Sequence, residues 1–227
     1  MARVDTKEME GAMTNVLVRN FSISLDGYGA GPSQDVEHPL GIGGNLLHEW
    51  IFATRSGRQM IGADGGTEDI DDAFFAARDS GVGATIMGRN MFGPLRGPWG
   101  ENEWSGWWGE EPPFHHSVFV LTHYPQPSIE MRGGTTFRFI DGGIEAALEA
   151  ALDAAGERDV LVAGGASTIR QYLRAGLIDD MRLAMVPVLL GGGERLFEDL
   201  GPSAADYECV EHVCSPSVTH VRIQRSK

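Results

Sequence analysis

The sequence is poor in cysteine, and it has neither long apolar runs nor a leader-like start. Its 227 residues include two cysteines, Cys209 and Cys214, which could face each other across a hairpin but are too few for a disulfide or metal framework. No run approaches the roughly 20 apolar residues that span a bilayer, so we expect no membrane association. The first dozen residues mix charges and lack the apolar centre of a secretory signal, which favours a cytoplasmic protein.

Basic residues are also scarce relative to acidic ones. The chain has 18 lysines and arginines against 32 aspartates and glutamates, a net charge of −14. A field of this sign repels polyanions, so nucleic acid is not an expected partner. A small anion can still bind where backbone N–H groups and one or two arginines lie close together.

Eight apolar or alternating segments are typical of strands. They are Val16–Ile23, Ala84–Met87, Ser117–Leu121, Thr136–Ile140, Val160–Ala163, Asp180–Leu190, Tyr207–Cys214 and Val218–Gln224. Helical patterns cover Glu68–Ser80, Ile144–Ala155 and Ser167–Ala175, the last with Ser167 as its cap. After a flexible stretch of residues 1–14, this order predicts one α/β domain over residues 15–227. Its mixed, mostly parallel eight-stranded sheet is flanked by helices and ends in an antiparallel hairpin.

Two long connections interrupt this order, Leu25–Trp50 and Gly93–His116. Loops of more than about 12–15 residues are uncommon in a compact domain unless they are functional or disordered. The second loop holds four tryptophans, which argues against disorder. His48 and Trp50 share a face if their segment is a strand and not if it is a helix, and the sequence leaves both open.

A pair of glycines follows the strand that ends at Ala163. Gly164 and Gly165 lead into Ala166, Ser167 and Thr168, at the predicted start of a helix. Such a turn exposes backbone N–H groups at the positive end of the helix dipole, where a phosphate can bind. A plain turn between a strand and a helix explains the same residues about as well.

Two further turns follow other predicted parallel strands. Gly88 and Arg89 come after one, and a glycine beside an arginine suits a phosphate, although a surface ion pair is the other interpretation of Arg89. Thr122 and His123 come after the next, with a hydroxyl and an imidazole that can hydrogen-bond a phosphate or a ribose. Because parallel strands end along one edge of a sheet, we expect all three turns to meet there.

Five motifs in this order resemble a known reductase family. They are Phe21–Gly27, Met87–Arg89, Leu121–His123, Ala163–Ala166 and Pro187–Gly193. The chain from about Val16 onward is similar to the reductase domain of the riboflavin-biosynthesis deaminase/reductase, within the dihydrofolate reductase-like superfamily. The resemblance implies an eight-stranded sheet, an NADPH-dependent hydride transfer to a small, planar substrate, and a homodimer.

The resemblance also assigns residues to the cofactor. Gly88 and Arg89 would hold the adenine-side phosphates of NADPH, Thr122 and His123 would lie beside the adenosine 2′-phosphate, and the segment 164–168 would hold the diphosphate. The chain departs from the riboflavin reductases at Ala163, where those enzymes carry an acidic residue, and it has no zinc deaminase domain. A non-catalytic nucleotide- or ligand-binding protein with the same fold is therefore the alternative, and a flavin is another candidate ligand.

Candidate substrate residues come from the two loops and the first helix. Asp26, in a loop resembling the one that closes over nicotinamide, is the first candidate proton donor, but it also suits a turn before Gly27. Asp72 is a second candidate that equally suits a helix start. Trp50 is a candidate substrate residue from the first loop. Trp104, Trp107 and Trp108 of the second loop could stack on a flat substrate, and they could equally cover a core or a dimer contact. We expect no metal site.

Overall fold

A computed structural model of the protein describes residues 14–93, 97–100 and 104–226. Its strands are β1 (Val16–Ser24), β2 (Tyr28–Ala30), β3 (Val82–Gly88), β4 (Ser117–Leu121), β5 (Ile129–Glu130), β6 (Thr136–Ile140), β7 (Asp159–Gly164), β8 (Asp180–Val186), β9 (Glu194–Arg195), β10 (Tyr207–Cys214) and β11 (Thr219–Arg225). Its helices are α1 (Glu49–Ala53), α2 (Arg55–Met60), α3 (Ile70–Ala76), α4 (Arg89–Phe92), α5 (Gly143–Ala155) and α6 (Ala166–Arg174), with 3₁₀ helices at Gly44–His48, Arg132–Gly134 and Pro202–Asp206. The expected flexible N-terminus falls on residues 1–13, outside the described residues, and on residue 14.

Within the described residues, the main sheet has the order β10-β11-β8-β1-β7-β3-β4-β6-β5. The six strands from β8 to β6 run parallel, and β5, β10 and β11 are antiparallel to their neighbours. The predicted mixed, mostly parallel sheet with a C-terminal hairpin is confirmed. The additional strand, β5, has two residues, too few to produce a periodic pattern. β8 ends at Val186 and not at Leu190, because Pro187 lacks an N–H group and the Val188 N–H turns back to the Val186 carbonyl.

Apolar residues cover both faces of this sheet. Along β4, Phe119 joins the core under α5 and α6, whereas Val118 and Val120 join a second core on the opposite face. This alternation is the period of a strand. On the second face, α1 and α3 pack near β8, and α4 with the tryptophan-rich segment packs near β4. Parallel strands buried on both faces account for their nearly continuous apolar sequence.

The helix predictions are confirmed in kind, with shorter or shifted ends. α6 has Gly165 as its cap and not Ser167, because the glycine turn enters the helix directly. α3 begins at Ile70, because the Asp69 carboxylate accepts hydrogen bonds from the backbone N–H groups of Asp71 and Asp72 in the first turn. The helix spans seven residues. α5 is the longest described helix, with 13 residues. None of the helices in the described residues has the length and apolar character needed to cross a membrane.

The two long loops contain short elements that their sequences do not signal. The first holds β2 and the 3₁₀ helix Gly44–His48, and it leads into α1. Residues 94–96 and 101–103 of the second loop lie outside the described part of the chain. Within the described part, the Trp104 indole N–H donates to the Phe92 carbonyl at 2.9 Å, so this tryptophan packs on the sheet.

The C-terminal hairpin does not bring the cysteines together. Cys209 and Cys214 are both exposed on β10, opposite Ile223 and Thr219 of β11. A disulfide across the hairpin is therefore excluded by the register.

Candidate functional site

A cavity of about 870 Å³ opens at the carboxyl ends of the parallel strands. Its wall includes residues from all three turns selected in the sequence: Gly88, Arg89, Thr122, His123, Gly165, Ala166, Ser167 and Thr168. Gly164 itself does not line the cavity, but it lies between Ala163 and Gly165, which do. Small-molecule sites measure about 300–1,000 Å³, so the cavity has room for a large ligand or for two ligands side by side.

The register of the sheet brings these turns together. Met87 of β3 lies opposite Gly164 of β7, and Gly88 lies opposite Leu121 of β4. Leu121 in turn lies opposite Ile140 of β6. Because the four strands are parallel, the chain leaves all of them at the same edge, where ligands of open α/β sheets bind.

The glycine pair leaves space at the N-terminus of α6. The peptide bond between Gly164 and Gly165 is cis. A Cβ atom on Gly164 would lie 3.1 Å from the Phe21 ring, whereas a Cβ atom on Gly165 would meet no heavy atom within 4 Å. No side chain caps α6. Its first backbone N–H groups and the positive end of its dipole therefore lie at the cavity wall, next to the open space at Gly165.

Gly88 serves a different purpose. A Cβ atom at this position would lie 2.3 Å from Oγ1 of Thr168, in the first turn of α6. The absence of a side chain at Gly88 therefore allows α6 to pack against the end of β3. This contact fixes the position of the helix terminus relative to Arg89, which follows directly.

Aromatic rings hold Arg89 at the edge of the cavity. Its guanidinium lies 3.6 Å from the ring centre of Trp99 and 5.5 Å from that of Tyr124. Its Nη1 donates to Oγ1 of Thr122 at 3.3 Å. The side chain of Thr122 is buried, whereas His123 is exposed. The arrangement presents a positioned cation beside two hydrogen-bonding side chains, which suits an anionic group.

A bulge in β1 turns two polar side chains towards the cavity. The register of β1 shifts at Arg19 and Asn20, and Asn20 has a φ of 52°. The Asn20 amide donates to the Phe74 carbonyl at 2.7 Å, and Arg19 donates to the Ser80 carbonyl at 2.5 Å. Both side chains line the cavity, so the bulge ties the α3 segment to the central strand and contributes to the site.

Three carboxyl side chains line the cavity among the described residues, those of Asp79, Asp141 and Glu194. Asp79 lies 3.0 Å from Nε of Arg78. Burial raises the pKa of Asp79, and the charges of Arg78 and Arg19 oppose this change. Because 42% of the Asp79 side chain is exposed, solvent weakens both effects. Asp79 is the cavity carboxyl whose environment favours the protonated form.

Asp26 lies outside the cavity wall and binds a neighbouring loop. Its carboxylate accepts a hydrogen bond from the Ser24 hydroxyl at 2.6 Å, and others from the N–H groups of Leu190 at 3.1 Å and Gly191 at 2.7 Å. These hydrogen bonds lower the pKa of Asp26 to about 2, and the bond from Ser24 has the largest effect. An ionised carboxylate that accepts three hydrogen bonds is poorly suited to donate a proton at neutral pH. The contacts instead give Asp26 a structural role.

The structure brings one of the three predicted substrate residues to the cavity. Trp107 lines it. Trp50 is instead buried, with its indole N–H donating to the Ser22 hydroxyl at 3.0 Å. Asp72 accepts from the backbone N–H of Ser56 at 2.7 Å and so stabilises the start of α2. Neither side chain belongs to the cavity wall, in contrast to the expectation from the sequence.

His48 is a cavity residue that the sequence left undecided. The segment is helical, so His48 and Trp50 point in different directions: Trp50 joins the core and His48 lines the cavity. The spacing of Leu47 and Trp50 could have indicated this, because two apolar residues three positions apart share one face of a helix, and both are buried here. Asp79 and Asn20 have no motif or periodic position in the sequence that marks them as cavity residues.

The sequence profile of the RibD C-terminal domain matches residues 15–221. The chain belongs to the RibD C-terminal domain family. This membership agrees with the turns assembled at the strand ends, and it supports a reductase in general terms.

The chain is also similar to individual known proteins. The "Uncharacterized protein YyaP" of Bacillus subtilis (strain 168) is 44% identical over 43 residues, which are 19% of this chain and 23% of that protein's length. The crystal structure of a "Putative riboflavin biosynthesis protein" from Shewanella sp. PV-4 has a TM-score of 0.58 at 22% identity, covering 95% of this chain and 100% of that one. This likeness shows the fold. A dihydrofolate reductase from Enterococcus faecalis, complexed with NADP(H) and RAB-propyl, has a TM-score of 0.49 at 15% identity, covering 96% and 98%.

Proposed function

We propose that the protein is an NADPH-dependent reductase of a small, planar heterocyclic substrate. One observation carries the proposal: open space at Gly165 and the uncapped N-terminus of α6 share one cavity with Arg89 and Thr122. A helix terminus beside a positioned arginine suits a ligand with several phosphates. The membership of the RibD C-terminal domain family supports the same chemistry.

The residues of the cavity fit the cofactor. A ligand can approach the backbone at Gly165, where a side chain would fill the space, so the diphosphate of NADPH is assigned to residues 164–168. Arg89, Thr122 and His123 are assigned to its remaining phosphates. When bound, NADPH supplies a hydride. The protein binds and orients both reactants and excludes water from between them.

The rest of the cavity is assigned to the substrate. Trp107, Trp108 and Phe114 provide flat apolar surface for a ring, and the described cavity wall brings them to the same space as the strand-end turns. Asp79 replaces Asp26 as the candidate proton donor, because it lines the cavity and burial raises its pKa. Water is the other source of the proton.

A binding protein without catalytic activity is the second candidate. Two observations favour it: Ala163 lines the cavity where the riboflavin reductases carry an acidic residue, and Asp26 is engaged outside the cavity. Such a protein would bind NADPH but would not oxidise it with pterins, pyrimidines or quinones. A protein that purifies with a yellow colour would indicate a flavin instead.

The homodimer and the cytoplasmic location stay predictions. Light scattering on the purified protein measures the first, because a dimer has twice the 24.5 kDa mass of the chain.

The cofactor site is tested by a valine at Gly165. Its φ of −69° is ordinary for any residue and a Cβ atom there would meet no heavy atom within 4 Å, so Gly165→Val should fold normally. By filling the space assigned to the diphosphate, it should weaken NADPH binding by at least about tenfold, or about 1.4 kcal/mol. Isothermal calorimetry with NADPH and NADH measures this loss.

Gly192→Val is the matched control. Gly192 also has open space around its Cβ position, and it lies outside the cavity wall. This variant should bind NADPH like the wild type. If Gly165→Val also binds like the wild type, the diphosphate does not lie at this glycine. If the wild-type protein binds neither nucleotide, the reductase proposal fails.

A further inference from the structure

The strand β10 forms one outer edge of the main sheet, at the end away from β5. Within the described residues no strand pairs with its outer side, which leaves a row of backbone N–H and C=O groups for a further strand. Residues 208–212 and 214 are exposed. Lysine and proline are common devices against pairing at such edges, and the segment 207–214 has neither. The edge is therefore accessible to another chain.

The sequence of β10 reads nearly the same in both directions. Residues 209–214 are Cys-Val-Glu-His-Val-Cys. The register with β11 shifts between Cys209 and Glu211, so Val210 is an extra residue that forms a bulge. When this bulge and Glu211 are counted as one position, the segment is symmetric about His212. A valine and then a cysteine follow on one side of this histidine, and the bulge and then a cysteine follow on the other.

The bulge also places both cysteines on one face of the sheet. Two residues five positions apart in a regular strand point to opposite faces. The β11 partners of Cys209 and Cys214 lie in turn opposite Met181 and Met185 of β8. Both methionines pack in or against the core under α5 and α6. Because directly opposite residues point to the same face, both cysteines point to this face, and so does His212, two positions before Cys214.

We propose that β10 pairs with β10 of a second copy of this chain, in the antiparallel direction and about a twofold axis at His212. A twofold interface brings the same patch of each copy together, which a symmetric strand satisfies. In this register Cys209 of each copy lies opposite Cys214 of the other, and Glu211 lies opposite Val213. Because of the bulge, the two side chains of each such pair point to the same face, as pairing requires. The proposal goes beyond the reductase function and does not depend on it.

The charge of the chain favours this edge as the contact. Each copy carries a net charge of −14, so two copies repel each other except where the contact region has little charge. The segment 209–214 contains one acidic residue, Glu211, which lies opposite Arg222 of β11 in its own copy. In the proposed register a valine, and not a second acid, faces Glu211 across the interface. The paired edges therefore bring no two carboxylates face to face.

Disulfide trapping tests the register. Opposite Cα atoms of an antiparallel pair are about 4.5–5.5 Å apart, within the range of about 4.4–6.8 Å that a disulfide bridges. Copper phenanthroline should therefore link the wild type into a covalent dimer of twice 24.5 kDa, which dithiothreitol separates again. Each new disulfide transfers two electrons from two thiols to the oxidant and releases two protons.

Two cysteine variants make this test specific. Cys209→Ser and Cys214→Ser should each stay unlinked, because each removes one member of both pairs. When the two variants are co-expressed, about half of the dimers are mixed, and these should link, because a mixed dimer retains one cysteine from each position. Linking of either variant alone would show a different register.

Light scattering tests the contact without oxidation. His212→Asp places two carboxylates opposite each other at the axis, and it should raise the dissociation constant of the dimer by at least about tenfold. Val36→Asp is the control, because it adds the same charge at a side chain that is 60% exposed in the loop after β2. This variant should stay dimeric, and far-UV circular dichroism should show that both variants are folded.

Three results would refute the proposal. The first is a wild type that does not link on oxidation. The second is linking of Cys209→Ser or Cys214→Ser alone to the extent of the wild type, or no linking of the co-expressed pair. The third is a His212→Asp variant that is as dimeric as Val36→Asp, which would place the interface elsewhere. None of these results bears on the reductase proposal, which calorimetry with NADPH tests separately.

Discussion

Asp71 connects α3 to the C-terminal hairpin through a buried polar cluster. One carboxylate oxygen lies 2.7 Å from Nε2 of His220 on β11, and the other accepts a hydrogen bond from the Ser215 hydroxyl at 2.8 Å. Both side chains of this pair are buried, with 5% of the Asp71 side chain and 4% of the His220 side chain exposed to solvent. Phe74 stacks on His220 at a centroid distance of 4.1 Å, and Trp50 packs edge-on at 5.3 Å.

Asp71→Ala should therefore destabilise the protein by about 3–5 kcal/mol, the range for breaking a buried pair by removing one partner. The loss has two sources. Two hydrogen bonds to a carboxylate disappear, and Nε2 of His220 is left buried without its partner. Ser215 suffers less, because its hydroxyl can donate instead to the Val218 carbonyl, 3.1 Å away.

Urea unfolding followed by tryptophan fluorescence measures the change. His220→Phe keeps a flat ring against Phe74, so the double variant with Asp71→Ala should lose less than the sum of the two single losses, by about 0.5–3 kcal/mol. Asp72→Ala is the control from the adjacent position: it removes the contact with the start of α2 and one acidic group from the first turn of α3, and it should cost about 1 kcal/mol. A loss below about 1 kcal/mol for Asp71→Ala, or strictly additive losses in the cycle, would refute the reasoning.

Three other changes test separate contacts. Gly88→Ala should destabilise by about 1–3 kcal/mol, because its Cβ atom would lie 2.3 Å from Oγ1 of Thr168, and Thr168→Ala should restore part of the loss in the same unfolding assay. Arg89→Ala should weaken NADPH binding by about 1–3 kcal/mol and NADH binding by less, and equal losses in calorimetry would remove Arg89 from the 2′-phosphate. The wild type should be more stable than Asp26→Asn above about pH 4. This advantage should be lost as the pH falls from 3.8 towards the folded pKa of about 2. Urea unfolding midpoints measured across that pH range test this. An advantage that persists unchanged at pH 2 would contradict the lowered pKa of Asp26.

Much of the fold could be predicted from the sequence because its main signals are local. Each parallel strand is a short apolar run, and the glycines at the ends of β3 and β7 mark where those strands end. Because these strands are parallel, their carboxyl ends then lie along one edge of the sheet. The positions of Arg89 and Thr122 in one cavity follow from this rule without knowledge of the strand order.

The carboxylates could not be sorted in the same way. Asp26, Asp71 and Asp72 all lie near the start or end of an element, and each suits a turn or a helix start. Their structural roles depend on partners far away in sequence: Asp71 contacts His220, 149 positions later, and Asp26 contacts Gly191, 165 positions later. A helical or strand period contains no information on such pairs, because they arise only when the sheet assembles.

The glycines show why a motif alone does not define a site. Gly88, Gly164 and Gly165 all lie at strand ends beside the cavity, yet a Cβ atom would strike Thr168 at the first, approach the Phe21 ring at the second and enter open space at the third. Gly88 is therefore required by packing, and only at Gly165 does the missing side chain leave room that a ligand can use. A binding assay on variants of the three glycines reports on the cofactor cleanly at Gly165 alone, because at Gly88 and Gly164 a loss of affinity would also follow from disturbed packing.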